Sequence, residues 1–83
     1  MKTVRVLTTD SCVKCHQLVN EILDGSSLLS RYDIQILDAM DKDNRYLIDK
    51  YKISKVPTVI LYNDVVSSEI YTVKELVEFL EVN

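Results

Sequence analysis

The 83-residue sequence has no tryptophan, one glycine, one proline, one histidine and two cysteines. With so few glycines and prolines, and with 47% of its residues apolar, it is neither a linker nor a disordered tail. The length suits one small domain, residues 1–83, with no room for a second core. A net charge of −3 supplies neither the basic footprint of a nucleic-acid binder nor a polybasic membrane patch. No run approaches the roughly 18 apolar residues that would span a bilayer. Residues 1–8 alternate polar and apolar side chains, without the apolar stretch or small-residue cleavage site of a signal peptide. The expectation is a cytoplasmic monomer that engages neither nucleic acid nor membrane. Thiols stay reduced in that compartment, so two cysteines three residues apart read as catalytic or metal-binding rather than as a static staple.

What is present is a clear alternation of strand and helix patterns. Lys2, Thr3, Val4, Arg5, Val6, Leu7 and Thr8 alternate around β-branched residues and predict a first strand. Residues 8–11 supply turn and cap chemistry. Cys15, Leu18, Val19, Ile22 and Leu23 then fall on one helical stripe, with Gly25 placed for a left-handed cap. Leu28 and Leu29 fit either an extension of that helix or a short turn. Residues 33–38 predict a second strand, and Asp41 to Asn44 open a second helix bearing Leu47, Ile48 and Tyr51. Residues 58–62 are almost continuously apolar, as in a central strand buried on both faces. Asn63-Asp64 suits a two-residue hairpin loop into a fourth strand over 65–71. Thr72 and Glu75 form a capping box for a last helix bearing Val73, Leu76, Val77 and Leu80. The order is βαβαββα. A helical crossover makes the first two strands parallel and the hairpin makes the last two antiparallel, giving a four-stranded mixed α/β sheet with three flanking helices.

The chemistry concentrates in Ser11-Cys12-Val13-Lys14-Cys15-His16. Three readings fit these letters: covalent haem attachment by C-x-x-C-H, a zinc site needing one more ligand, and a dithiol redox centre beside a βαβ pattern. Haem attachment belongs outside the cytoplasm and requires His16 to leave its helix. Zinc lacks a fourth Cys or His in the chain, so a carboxylate, water or second chain would have to complete it. The dithiol reading needs no residue beyond those present.

A strand, then C-x-x-C opening the first helix, then Val56-Pro57-Thr58 leading the third strand together resemble the thioredoxin/glutaredoxin superfamily over essentially the whole chain. In length the chain is similar to small glutaredoxin-like redoxins, and its Cys-Val-x-Cys form to those that reduce ribonucleotide reductase. The resemblance implies a thioredoxin-like fold, a cis Pro57 packed against the cysteine pair, substrate contacts at Val56, Pro57 and Thr58, and no cofactor beyond the redox-active disulfide. It also implies a disulfide-containing protein substrate. Cys12 stands where the helix begins, and a helix N-terminus lowers a thiol's pKa below the free value of about 8.5, with Lys14 adding a nearby cation and Asp10 opposing it. Cys15, one turn on and on the apolar stripe, is the more buried sulfur. Cys12 is thus expected to attack and Cys15 to resolve. Lys14 and His16 are candidate tuning residues, with His16 otherwise a solvent-facing helix residue. Lys50, Lys52 and Lys55 read as surface lysines.

The sequence departs from the glutaredoxin pattern. Thr9 stands where a Lys or Arg is usual, and residues 69–73 lack the Gly-Gly pair that holds glutathione's γ-glutamyl end. Val6 stands where thioredoxins bury an acidic residue. The expected source of electrons is therefore a reductase or another dithiol protein, with glutathione as the alternative. A metal-binding or non-catalytic docking module is the remaining reading.

Overall fold

The computed structural model describes residues 2–24 and 30–83. β1 (Lys2–Thr8) leads through α1 (Val13–Asp24) to β2 (Tyr32–Asp38), which runs parallel to it with Lys2 opposite Tyr32 and Thr8 opposite Asp38. A 3-10 turn (Lys42–Asn44) opens into α2 (Arg45–Tyr51). The hairpin of β3 (Thr58–Leu61) and β4 (Val66–Ser67) follows, and α3 (Val73–Val82) comes last. β3 pairs antiparallel with β1, giving the strand order β2-β1-β3-β4. This is the mixed sheet with flanking helices that the sequence pattern predicts.

Alternation along the strands divides the core into two. Val4, Val6, Val59 and Leu61 point to one face and pack with Leu18 and Ile22 of α1 and Leu76 and Leu80 of α3. Leu7 and Ile60 point the other way and meet Leu47 of α2. All four residues of β3 are buried, as their continuous apolar run anticipates.

Three local expectations change. Leu23, placed on the buried stripe of α1 by spacing, is 58% exposed, because the stripe in contact with the sheet is the narrower one of Cys15, Leu18 and Ile22. Tyr62 leaves β3 and joins Asn63 and Asp64 in a three-residue loop: the Asp64 N–H donates to the Leu61 carbonyl, and Leu61 N–H reaches Val65. Asp64 takes a left-handed conformation at φ 67°, as the last residue of such a loop requires. β4 is the pair Val66–Ser67 rather than all of 65–71. The readings of Gly25 as a cap and of Leu28 and Leu29 as helix or turn lie outside the described residues.

Thr72 caps the last helix as predicted, and the return bond of Glu75 goes to the N–H of Tyr71, one residue before the cap. Thr72 Oγ1 accepts from the Glu75 N–H at 3.2 Å, and Glu75 Oε1 accepts from the Tyr71 N–H at 3.1 Å. Glu21, on α1, accepts from the Val73 N–H at 3.0 Å and ties the two helices on that face together. No helix among the described residues is long and apolar enough to cross a membrane.

Candidate active site

β1 ends at Thr8, and residues 9–12 turn the chain into α1, with the Cys12 N–H donating to the Thr9 carbonyl at 3.3 Å. The Cys12 carbonyl accepts the helix's first bond, from the His16 N–H at 3.2 Å. Cys12 is therefore the N-cap residue itself. The usual caps are Ser, Thr, Asp and Asn, whose side-chain oxygen accepts from an N–H two or three residues on. Here a sulfur takes that place: Cys12 Sγ accepts from the Cys15 N–H at 3.1 Å. No acidic residue occupies the first turn of α1 to oppose negative charge on that sulfur. An anion at Cys12 meets both a backbone donor and the positive end of the helix dipole.

Cys12 and Cys15 are joined as a disulfide, with their Cα atoms 5.2 Å apart, inside the range that a disulfide spans without moving the backbone. The two sulfurs differ in access. Cys12 is half-buried at the surface, whereas Cys15 is 1% exposed. The Val56–Pro57 peptide bond is cis, and the Val56 carbonyl lies 3.8 Å from Cys12 Sγ, so the loop before β3 stands beside the disulfide. Pro57 and Thr58 are buried and only Val56 of the three presents surface. The Thr58 hydroxyl donates to the Lys55 carbonyl at 2.6 Å, which leaves its oxygen to accept from the Ser68 hydroxyl at 2.7 Å. Thr58 thus holds the loop in shape from beneath.

The two flanking candidates face away from each other. Lys14 Nζ sits 4.5 Å from the centroid of the Tyr71 ring, in the geometry of a cation–π contact. His16 is exposed, and its Nε2 lies 2.7 Å from the Asp10 carbonyl oxygen. A carbonyl oxygen can only accept, so the ring nitrogen carries the proton. Among the described residues no group of three or more His, Cys, Asp or Glu side chains is arranged to hold a metal ion.

Next to the disulfide lies an apolar groove of about 230 Å³, lined by Thr9, Ala39, Met40, Ile48, Ile53 and Val56, with Ser54 and Lys55 at its side. The sequence motifs do not single out Met40, Ile48 or Ile53. The topology does: parallel β1 and β2 end side by side, so residues just after them, Thr9 and Ala39-Met40, share one edge of the sheet. Met40 is 78% exposed there, its N–H held by Asp38 Oδ1 at 2.9 Å. Val13, between the cysteines, is 71% exposed. The disulfide is thus set among accessible apolar groups.

No family model and no curated protein matches the sequence. Solved structures do match. Thioredoxin 1 from the thermophilic eubacterium Thermosipho africanus superposes with a TM-score of 0.71 at 18% identity, covering 95% of this chain and 90% of that one. Thioredoxin O1 from Arabidopsis thaliana, in its oxidized state, gives 0.74 at 20% identity over 98% of this chain and 76% of that one. Thioredoxin O2 from the same plant gives 0.73 at 24% identity, with 98% and 73% covered. Likeness at this level of identity establishes architecture: the chain has the thioredoxin fold, with its cysteine pair at the start of the first helix.

Proposed function

We propose that the protein is a thiol–disulfide oxidoreductase of the small redoxin kind, in which Cys12 is the nucleophile and Cys15 the resolving thiol. The observation that carries this reading is the capping sulfur: Cys12 Sγ, at the surface, receives the Cys15 N–H at the head of α1 while the Cys15 side chain is buried. A thiolate is the species that attacks a disulfide, and this position favours it. The reduced protein's Cys12 thiolate attacks one sulfur of a substrate disulfide, forming a mixed disulfide and releasing the other sulfur as a thiolate that takes up a proton. Cys15, losing its proton, then attacks Cys12 Sγ. The substrate's second thiol leaves, two electrons have passed to it, and the Cys12–Cys15 disulfide is regenerated. The disulfide is its own redox carrier in this scheme. The groove between Val56 and Met40 receives the chain of a protein substrate.

A dithiol reductant, a flavoenzyme reductase or another dithiol protein of the cytoplasm, returns the two electrons. The start of α3 supports this over glutathione. Glutaredoxin-like proteins, which the chain resembles, hold the γ-glutamyl end at that place. Here Glu21 already accepts the Val73 N–H and Glu75 the Tyr71 N–H. Service to ribonucleotide reductase is one substrate consistent with the Cys-Val-x-Cys form.

The test uses reduced Cys15→Ser protein with a disulfide substrate. A stable covalent adduct on Cys12, seen by mass spectrometry of tryptic peptides, is the expected result. An adduct of wild-type protein on Cys15 overturns the assignment of roles. NADPH oxidation, coupled in turn through a thioredoxin reductase and through glutathione with glutathione reductase, identifies the reductant. Faster turnover with glutathione overturns the choice made here.

A further inference from the structure

We propose that His16 is a positioning residue, its ring clamping the turn that presents Cys12. This proposal rests on the reading of the cysteine pair as a redox centre. Residues 9–12 make a four-residue turn whose own closing bond, Cys12 N–H to the Thr9 carbonyl, is 3.3 Å, longer than the usual range for N–H···O. The bond that His16 Nε2–H donates to the Asp10 carbonyl is 2.7 Å, at the short end of that range. Asp10 is the second residue of the turn, and His16 is the fourth of α1. The ring therefore bridges from the body of the helix back across its own cap. Of the two bonds that hold the turn, the side-chain one is the tighter.

The consequence concerns the sulfur. The helix fixes the Cys15 N–H and, through the His16 N–H bond to the Cys12 carbonyl, the far side of Cys12, whereas the turn fixes its near side. Cys12 Sγ stays 3.1 Å from its donor only while those two parts stay in register. In the disulfide the covalent bond enforces this. After reduction it is gone, and the His16 clamp supports the two remaining backbone bonds of Cys12 in keeping the cap closed. His16 touches neither sulfur through any hydrogen bond of the structure; it acts on the thiolate through the peptide of Asp10.

Three variants of the reduced full-length chain separate this role from general destabilisation. His16→Gln carries an N–H at nearly the reach of Nε2, His16→Asn carries one that stops short of it, and His16→Leu fills the space without a donor. The readouts are the rate of iodoacetamide alkylation of Cys12 at neutral pH, mapped by mass spectrometry, and the midpoint of its thiolate absorbance in a pH titration. A solvent-exposed hydrogen bond lies toward the lower half of the usual net range, so His16→Leu and His16→Asn are expected to slow alkylation about two- to fivefold and to move the midpoint upward. His16→Gln restores both. If Leu and Gln variants behave alike, or if all three lower Tm while the midpoint stays put, the clamp has no influence on Cys12 and the proposal is overturned. These readouts need no disulfide substrate. A wild-type protein that fails to reduce insulin, yet shows the Leu-against-Gln difference, would remove the redox reading while supporting the clamp.

Discussion

Two helices in this protein begin in the same way and are put to different uses. At α3 the cap is Thr72, the usual residue type, and two carboxylates, Glu75 and Glu21, take the neighbouring N–H groups of Tyr71 and Val73. At α1 the cap is Cys12, no acidic residue stands in the first turn, and the side chain accepting from the N3 N–H is a sulfur. One start is saturated with oxygen acceptors and serves stability. The other leaves its positive end to a sulfur, the group proposed above as the nucleophile. Both caps close the first bond of their helix, His16 N–H to Cys12 and Leu76 N–H to Thr72, and differ in the element at the cap and the charge around it.

Cys12→Ser gives the largest expected effect. Serine is among the best N-caps, so the variant is expected to keep α1 and the stability of the reduced wild type while losing disulfide reduction altogether. Insulin turnover and thermal unfolding of the reduced proteins check this pair of outcomes, and residual turnover would show that the capping sulfur is not the nucleophile. The comparison sharpens with Thr72→Cys in a Cys12→Ser, Cys15→Ser background. The introduced sulfur also caps a helix, but Glu21 and Glu75 oppose its negative charge, so iodoacetamide should reach it about tenfold more slowly than it reaches Cys12. Equal rates would mean that the cap alone, and not its surroundings, sets reactivity. The smallest effect is that of Thr72→Ala, which should lower stability by about 1 kcal/mol in urea unfolding and leave alkylation of Cys12 unchanged. A change at Cys12 would show that the two helix starts are coupled through Glu21.

The sequence is readable where partners lie close along the chain. Thr72 and Glu75 are three residues apart, and Thr72 caps the Glu75 N–H as the pattern predicts, with the return bond of Glu75 one residue earlier, at Tyr71. The parallel pairing of β1 with β2 follows from one crossover and the antiparallel hairpin of β3 with β4 from its short loop, whereas the placing of β3 beside β1 is carried by no local pattern. The Cys12–Cys15 pair is legible for the same reason of spacing. The rest depends on contacts that no local pattern carries. Glu21 meets Val73 across 52 positions. Met40 joins the groove because β1 and β2 end together, which only the assembled sheet brings about. Cysteine is not counted among capping residues, so the role of Cys12 in α1 is hidden until the helix start is fixed. Tyr62 extends an apolar run yet belongs to the turn, since the loop needs three residues to place Asp64 at positive φ.

The division of the core bears on how the molecule breathes. Among the described residues the face under α1 and α3 clusters nine buried side chains, whereas the face under α2 has three, Leu7, Leu47 and Ile60. Local opening costs least where few apolar groups are withdrawn from water, and α2 is only seven residues long. The groove's outer wall, Ile48 with Met40 before it, belongs to this lighter half. The cysteine-bearing helix is anchored in the heavier one. The groove's outer wall and the helix that carries the sulfur thus rest on opposite faces of the sheet, the wall on the smaller cluster and the helix on the larger.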